Sequence, residues 1–417
     1  MKQTSIVLFC ASLVLSLPAQ AGNAEADSPI SFEDLRAFTE AWGYIRDQYV
    51  EEVDDRQLFE AALQGMLAGL DPHSRWLSAD ELHTLEEQTI GRYGGLGIEV
   101  GSFDDHLRVV SVFDDTPAAA AGIETGDRII GIDEIDLEPD NLERAGSLLR
   151  GPAGTEITLR IHRSEQADEL AMTLTRALIE RESVQMSALA NGFKHVRIRR
   201  FQQTTRHELE NLLAPLDNDE QSPPGLVLDL RDNPGGMLQS AITVADLFLP
   251  ARLVVTAEGR GMAQPGEYHT GPAERMVGVP MVVLVDGGSA SASEILAAAL
   301  RDHGRAMLVG EPTYGKGSVQ SVWPLPNGSA IRLTTAFYYT PSGDRIQARG
   351  LQPDVYSSAT HRDEIAGNDR RRREADTEGH LGGWFEADDE FDEFSRNDPM
   401  LADALRVLAS ITRMQAH

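Results

Sequence analysis

The stretch Val279-Pro-Met-Val-Val-Leu-Val-Asp-Gly-Gly-Ser-Ala-Ser-Ala-Ser-Glu-Ile-Leu-Ala-Ala-Ala-Leu-Arg-Asp-His-Gly-Arg305 decides the fold. Met281 to Val285 is a continuous apolar run rich in β-branched residues, bounded by Pro280 and by Gly287-Gly288. That is the pattern of a buried strand in an α/β domain. Ser291 and Glu294 form a Ser-x-x-Glu capping box, so a helix is expected from there to about His303, with Gly304 as its stop. The Ser291 hydroxyl then sits at a helix N-terminus, beside backbone N–H groups that can stabilise a developing negative charge. Taken alone, such a serine is a cap and nothing more, because capping boxes are common.

The surrounding sequence continues the alternation of strand and helix from about Ser183 to Pro353. His195-Val-Arg-Ile reads as a strand, Thr204 to Leu213 as an amphipathic helix, and Gly225-Leu-Val-Leu-Asp-Leu as a buried strand. The sharp turn Arg231-Asp-Asn-Pro-Gly-Gly236 follows; its glycines could free backbone N–H groups for an oxyanion. Further on, Lys316, Ser318 and Gln320 stand at i, i+2 and i+4 of an extended segment, spacing that projects all three to one side. Apolar neighbours (Leu308, Val309, Val319, Val322) make that segment partly buried. Desolvation disfavours an ammonium group and fits a lysine to act as the general base that a serine nucleophile needs.

Other carboxylates and histidines fit less well. Asp229 and Asp232, with Glu294 and Asp302, could form a carboxylate pair or a metal site. Asp229 lies within an apolar strand next to Arg231, however, and reads better as a paired structural carboxylate. His73, in the turn Asp71-Pro-His-Ser74, has no partner at metal-ligand spacing and reads as structural. No metal or organic cofactor is expected.

The chain has 417 residues, enough for two or three domains, and a soluble globular composition. Residues 1–21 read as a secretory signal: Lys2, an apolar run from Ile6 to Leu17 too short for a comfortable span, and cleavage after Ala19-Gln-Ala21. An uncleaved anchor is the competing reading, so membrane association stands as the second mode. The only cysteine, Cys10, lies inside that run, so the mature chain has none. Export without cysteine removes disulfides, thiolate metal sites and a cysteine nucleophile, and points to a bacterial periplasm. The net charge of −29 repels nucleic acid and anionic lipid.

Ahead of the α/β stretch, residues 28–90 carry apolar residues at helical spacing (Leu35, Phe38, Trp42, Ile45, Tyr49, then Leu58 to Leu70), the pattern of packed helices. From Arg92 the order Tyr93-Gly-Gly-Leu-Gly-Ile, Thr116-Pro-Ala-Ala-Ala-Ala-Gly-Ile and Gly126-Asp127 resembles a PDZ domain over residues 91–180. The resemblance makes Gly95, Leu96, Gly97 and Ile98 the loop that holds a peptide carboxylate, with Leu96 and Ile98 as tail contacts; glycine-rich edges also suit β-augmentation. A nucleotide-binding reading of these glycines fails because no helix follows them. After Tyr356, residues 357–417 read as a charged linker, with Arg370 to Arg373 beside the acidic run Glu386 to Glu393, and a terminal helix from Pro399 to Ile411 suited to packing or self-association.

Together, Asp229-Leu-Arg-Asp-Asn-Pro-Gly-Gly236, Gly288-Ser-Ala-Ser-Ala-Ser-Glu294, Val309-Gly-Glu-Pro-Thr-Tyr-Gly-Lys-Gly-Ser-Val-Gln320 and Tyr338-Tyr-Thr-Pro-Ser-Gly343 resemble the carboxy-terminal processing, or tail-specific, serine peptidases. The resemblance implies a multidomain α/β protein whose core, residues 181–356, is ClpP/crotonase-like. It implies Ser291 as nucleophile, Lys316 as general base and Gln320 as its orienting partner. The oxyanion hole would come from the amides of Ala292 and of Gly235-Gly236. Substrates would be proteins or peptides with exposed C-termini, with an activator or adaptor protein and a homo-oligomer as further candidate partners. One departure from the family pattern is Ser342-Gly-Asp-Arg-Ile-Gln347, where an aspartate follows the glycine and displaces the arginine by one position. A silent PDZ scaffold and a Ser/His esterase using His303 or His195 are the competing functions. The esterase reading lacks a Gly-x-Ser-x-Gly elbow.

Overall fold

The computed structural model describes residues 30–415, apart from 104–105, 138–141, 164–168, 190–191, 218–221, 263, 273 and 358–397. The signal segment and the charge blocks at 370–373 and 386–393 lie outside the described residues. The chain divides into two compact units, one up to Ala62 and one from Leu63 onward.

In the first unit, α1 (Phe32–Gln48) starts at a capping box between Ser31 and Asp34, and α2 (Asp55–Ala68) begins after the acidic turn, its last residues, from Leu63, belonging to the second unit. Trp42 of α1 packs edge-on to Phe59 of α2, ring centroids 6.3 Å apart. The helical spacing holds, but α1 buries none of its residues: Leu35, Phe38 and Ile45 are all exposed.

After the end of α2 the second unit continues with β1 (Arg75–Leu77) and α3 (Ala79–Ile90), which the apolar spacing did not separate from the helices before them. β2 (Arg92–Gly95), β3 (Ile98–Phe103), β4 (His106–Val112), the short α4 (Pro117–Ala120), β5 (Arg128–Ile132), β6 (Ile135–Asp136), α5 (Leu142–Leu149), β7 (Glu156–His162), β8 (Leu170–Thr175) and β9 (Ala177–Glu180) follow. Strands β3, β4, β5, β7 and β8 form one antiparallel sheet in that order, with β6 on β5. Its own core contains Leu107, Ile129, Leu159 and Ile161. The antiparallel ribbon of β2 and β9 brackets this sheet at both chain ends.

The catalytic half is built from β10 (Val184–Ala188), β11 (Lys194–Ile198), α6 (Thr205–Leu213), β12 (Leu226–Asp229), α7 (Leu238–Ala245), β13 (Leu253–Glu258), β14 (Gly266–His269), β15 (Met281–Val285), α8 (Ala292–Asp302), β16 (Met307–Gly310), β17 (Ser318–Pro324), β18 (Ala330–Tyr339), β19 (Val355–Tyr356) and α9 (Pro399–Gln415). Its main sheet runs β10-β11-β12-β15-β16-β19, parallel except for the β10–β11 pair. Side chains alternate across a strand. Thus Leu226, Leu228, Val283 and Val285 pack in the cluster that holds residues of α6, α7 and α8, while Val227, Val282, Leu284 and Val309 pack with Met400, Ala404 and Leu408 of α9. Burial on both faces explains why β15 is apolar at every position.

A second, antiparallel sheet runs β1-β18-β13-β14, with β17 paired to β18. β1 is therefore a strand of the catalytic half, although it lies in the segment expected to be helical. The turn Asp71-Pro-His-Ser74 delivers it there.

Candidate active site

β15 is followed by the turn that carries Ser291. This serine has φ 55° and ψ −113°, a conformation that side chains with a Cβ avoid and that persists only where its surroundings over-determine it. The surroundings do so. Asp286 Oδ1 accepts the N–H groups of Gly288 at 2.9 Å and of Asp232 at 3.0 Å. The Ser289 hydroxyl donates to Leu230 O at 2.8 Å, and the Ser293 hydroxyl donates to Asn233 O at 2.9 Å. Ser289 and Ser293 are fully buried and used as internal ties, whereas Ser291 is only half-buried. This separates Ser291 from its two neighbours on physical grounds.

The turn after β12 lies against it. Asn233, fully buried, donates from Nδ2 to Ile198 O at 2.8 Å, and its backbone oxygen accepts the N–H of Ala290 at 3.0 Å. Its Oδ1 accepts the N–H of Gly235 at 2.9 Å. The Gly235 amide, expected among the oxyanion donors, is therefore occupied, because the short Asn side chain folds back onto its own turn. Among the described residues, the N–H groups of Gly236 and Ala292 donate to no protein acceptor. Gly235 has φ +96°, and a Cβ placed on it would stand 2.9 Å from both Ala292 N and Ser291 Cβ. Only glycine lets the turn approach the serine this closely.

Lys316 sits in the loop before β17, half-buried, rather than on the strand itself. Ser318 and Gln320 do share one face of β17, Gln320 Nε2 donating to Ser318 Oγ at 2.9 Å and, more loosely, to Thr334 Oγ1 at 3.4 Å. Thr334 in turn donates its hydroxyl to Asp71 Oδ1 at 3.1 Å and its N–H to Ser74 Oγ at 3.0 Å. The Asp71-Pro-His-Ser74 turn thus buttresses the strand that carries Gln320, a role that its turn chemistry alone did not signal. Burial alone would raise the Asp71 carboxyl, but hydrogen bonds from Ser74, from the His73 N–H and from Thr334 hold it below its usual range.

Glu294 connects the two halves of the site. Its Oε2 accepts the N–H of Ser291 at 2.8 Å and the N–H of Lys316 at 2.9 Å. The backbones of the candidate nucleophile and the candidate base therefore converge on one oxygen. The carboxyl is completely buried, and that burial pushes its pKa up to about 7 despite its hydrogen bonds.

The remaining charged candidates are structural. Asp229, fully buried, accepts two bonds from the Arg231 guanidinium, at 2.9 and 2.7 Å, and lies 2.9 Å from His195 Nε2. Burial opposes its charge, but these partners outweigh it and hold the carboxyl well below the usual range. Arg231 also reaches Asp398, immediately before α9, at 2.6 Å. His195 is thus committed to Asp229, and His303, beyond the C-terminal end of α8, donates from Nε2 to Leu253 O at 2.7 Å. Asp302 accepts the N–H and hydroxyl of Ser342. Arg345, in the segment that departs from the family pattern, stacks over Phe337 at 3.9 Å from the ring centroid.

The loop Gly95-Leu96-Gly97-Ile98 opens onto a cavity of about 500 Å³, bounded also by Leu149, Arg150, Arg200 and Gln202. Leu96 is only 2% exposed and packs in the core of the β3–β8 sheet. Its side chain is used to build the loop, so the expected tail contact narrows to the loop backbone and the half-buried Ile98.

Residues 194–357 match the model of peptidase family S41, residues 108–163 a PDZ domain, and residues 14–81 the N-terminal domain of the activating protease CtpB. A carboxy-terminal-processing protease of Bartonella bacilliformis is 38% identical over 384 residues, covering 92% of this chain and 88% of that protein. The carboxy-terminal processing protease CtpA of Bacillus subtilis is 33% identical, over 76% and 67% of the two chains. Among solved structures, the photosystem II D1 C-terminal processing protease is 29% identical over 78% of this chain and 93% of its own, with a TM-score of 0.47. On the near full-length likeness to the Bartonella protein, the chain belongs to the carboxy-terminal-processing proteases of peptidase family S41, and it is a serine-type peptidase with a PDZ domain.

Proposed function

We propose that this chain is an exported serine endopeptidase that cleaves protein substrates recognised by their C-terminal tails, using Ser291 as nucleophile and Lys316 as general base. The observation that carries the reading is the convergence of the Ser291 and Lys316 backbones on Glu294, with Ser291 held in a strained, half-exposed turn at a helix start. Ser291 Oγ attacks the scissile carbonyl as Lys316 Nζ takes its proton. The oxyanion is met by the N–H groups of Ala292 and Gly236, the proton passes to the leaving amine, and water hydrolyses the acyl-enzyme. Gln320 orients the lysine. The core, residues 181–356, is read as ClpP/crotonase-like, preceded by the PDZ domain at 91–180, and the loop amides at Gly95 to Ile98 hold the substrate carboxylate. The signal at 1–21 directs the chain to the periplasm; an activator or adaptor protein, with which the CtpB-like N-terminal match is consistent, and a second copy of the chain are the further partners.

Ser291→Ala and Lys316→Ala are each expected to abolish cleavage of an unfolded protein while leaving the fold intact. Near-full activity of Lys316→Ala together with loss of activity in His303→Ala would overturn the Ser/Lys assignment. Wild type and Ser291→Ala incubated with an envelope extract, followed by mass spectrometry of new termini, test the tail-specific reading. Cuts that depend on Ser291 in proteins with accessible C-termini support it, and the absence of such cuts favours a scaffold.

A further inference from the structure

Three capping boxes among the described residues allow a direct comparison. Asp34 caps α1 and Glu81 caps α3, each accepting the N–H of its serine, and Glu81 keeps 43% of its side chain exposed. Glu294 makes the same bond to Ser291 yet is buried completely. A cap does not require that burial. What the burial adds is the loop before β17: Oε2 also accepts the N–H of Lys316 at 2.9 Å, while Oε1 accepts the N–H of Gly315 at 2.9 Å and pairs closely with the Thr313 hydroxyl. Thr313 is itself anchored by the N–H of Leu351, 2.7 Å from its Oγ1. Four donors fill the acceptor sites of an ionised carboxylate.

We propose that Glu294 is a positioning residue that fixes the Ser291 elbow and the Lys316 loop relative to one another, so that one buried carboxylate sets the spacing of nucleophile and base. The proposal rests on the Ser291–Lys316 reading above. An amide does not reproduce the ionised carboxylate, because its NH₂ group has no acceptor capacity and would face the N–H groups of Ser291 and Lys316 or the N–H of Gly315. Burial that lifts the carboxyl toward neutrality is a cost that a helix cap at the surface does not incur.

Glu294→Gln is the test, with kcat and KM measured on a tail-bearing peptide and Ser291 reactivity measured with a fluorophosphonate. A shift of the two groups by about an ångström is expected to lower kcat and labelling rate about 100-fold, with KM and tail-peptide binding unchanged. A folded Glu294→Gln enzyme with kcat within about threefold of wild type would sink the proposal. If Glu294→Gln does not fold, Thr313→Val decides: a fall in kcat of about tenfold at constant KM, rescued by Thr313→Ser, supports the clamp, and an unchanged kcat overturns it. An active Ser291→Ala enzyme would instead refute the underlying Ser/Lys reading, leaving the two failures distinguishable.

Discussion

Replacing Gly235 by alanine is the sharpest structural probe of the oxyanion pocket. The new Cβ would stand 2.9 Å from Ser291 Cβ, 2.9 Å from Ala292 N and 2.7 Å from Ala290 O, where ordinary contacts begin at 3.4 Å. The two turns must therefore part by about 0.5 to 0.7 Å, and the alanine must also hold a φ of +96° at a cost of about 1–2 kcal/mol. Misplacement of this order at a reacting centre costs about 100-fold, and outright loss of one oxyanion donor about 100- to 1,000-fold. Gly235→Ala is accordingly expected to fold, to melt a few degrees lower, and to lose about two orders of magnitude in kcat with KM nearly unchanged. Gly236→Ala is the contrast. There a Cβ would lie 2.1 Å from the backbone oxygen of Phe201, which cannot swing away, so the expected outcome is loss of folded protein. Steady-state kinetics on a quenched fluorescent peptide, normalised to folded enzyme by thermal unfolding, separate the two. A Gly235→Ala enzyme with kcat within about threefold of wild type would refute the placement of this turn as a wall of the pocket.

Leu408→Ala empties a fully buried site where α9 meets the sheet beside Gly225, and denaturant unfolding should show a loss of about 2–5 kcal/mol; a loss under about 1 kcal/mol would mean that α9 is not part of this core. Asp229→Asn leaves Arg231 without its buried partner and should cost about 3–5 kcal/mol at neutral pH. Because Asp229 titrates below its ordinary 3.8, its contribution is complete above that value and fades as pH falls below it, so the acid limb of the stability curve should shrink in the variant. Glu294 has the opposite sign: its pKa is raised from 4.5 to about 7, so stability is fullest below pH 4.5 and declines as pH rises through 7, by up to about 3 kcal/mol. Thermal melts of wild type across pH 4 to 8, with no such slope in Glu294→Leu, check that sign.

Local pattern located the strand Met281–Val285, as a continuous apolar run, and the helix behind Ser291, as a capping box, while the PDZ domain was legible through a resemblance in the order of its motifs. Local pattern could not locate β1, since three residues carry no period and Arg75–Leu77 becomes a strand only by pairing with β18. The apolar spacing of α1 was legible as a helix, but spacing does not say what covers the face, and Leu35 and Phe38 are exposed. At the site, the residue types were legible and their bonds were not. Nothing in Asp-Asn-Pro-Gly-Gly announces that the Asn233 side chain takes the Gly235 amide, and nothing in the i, i+2, i+4 spacing places Lys316 ahead of the strand.

The least legible residue is Glu294, and the reason is general. A capping-box glutamate is identical in sequence whether its carboxylate faces water, as Glu81 does, or is enclosed, as Glu294 is. The difference lies in a loop about twenty residues downstream, whose N–H groups at Gly315 and Lys316 turn toward the helix start. Enclosure raises the carboxyl toward neutrality and Ser291 keeps a strained φ, so this corner of the molecule is locally unfavourable on two counts. Both are tolerated because the sheet beneath is buried on its two faces, by α6 to α8 and by α9, and the strain at Ser291 falls where the serine, the lysine loop and the N–H groups of Ala292 and Gly236 come together.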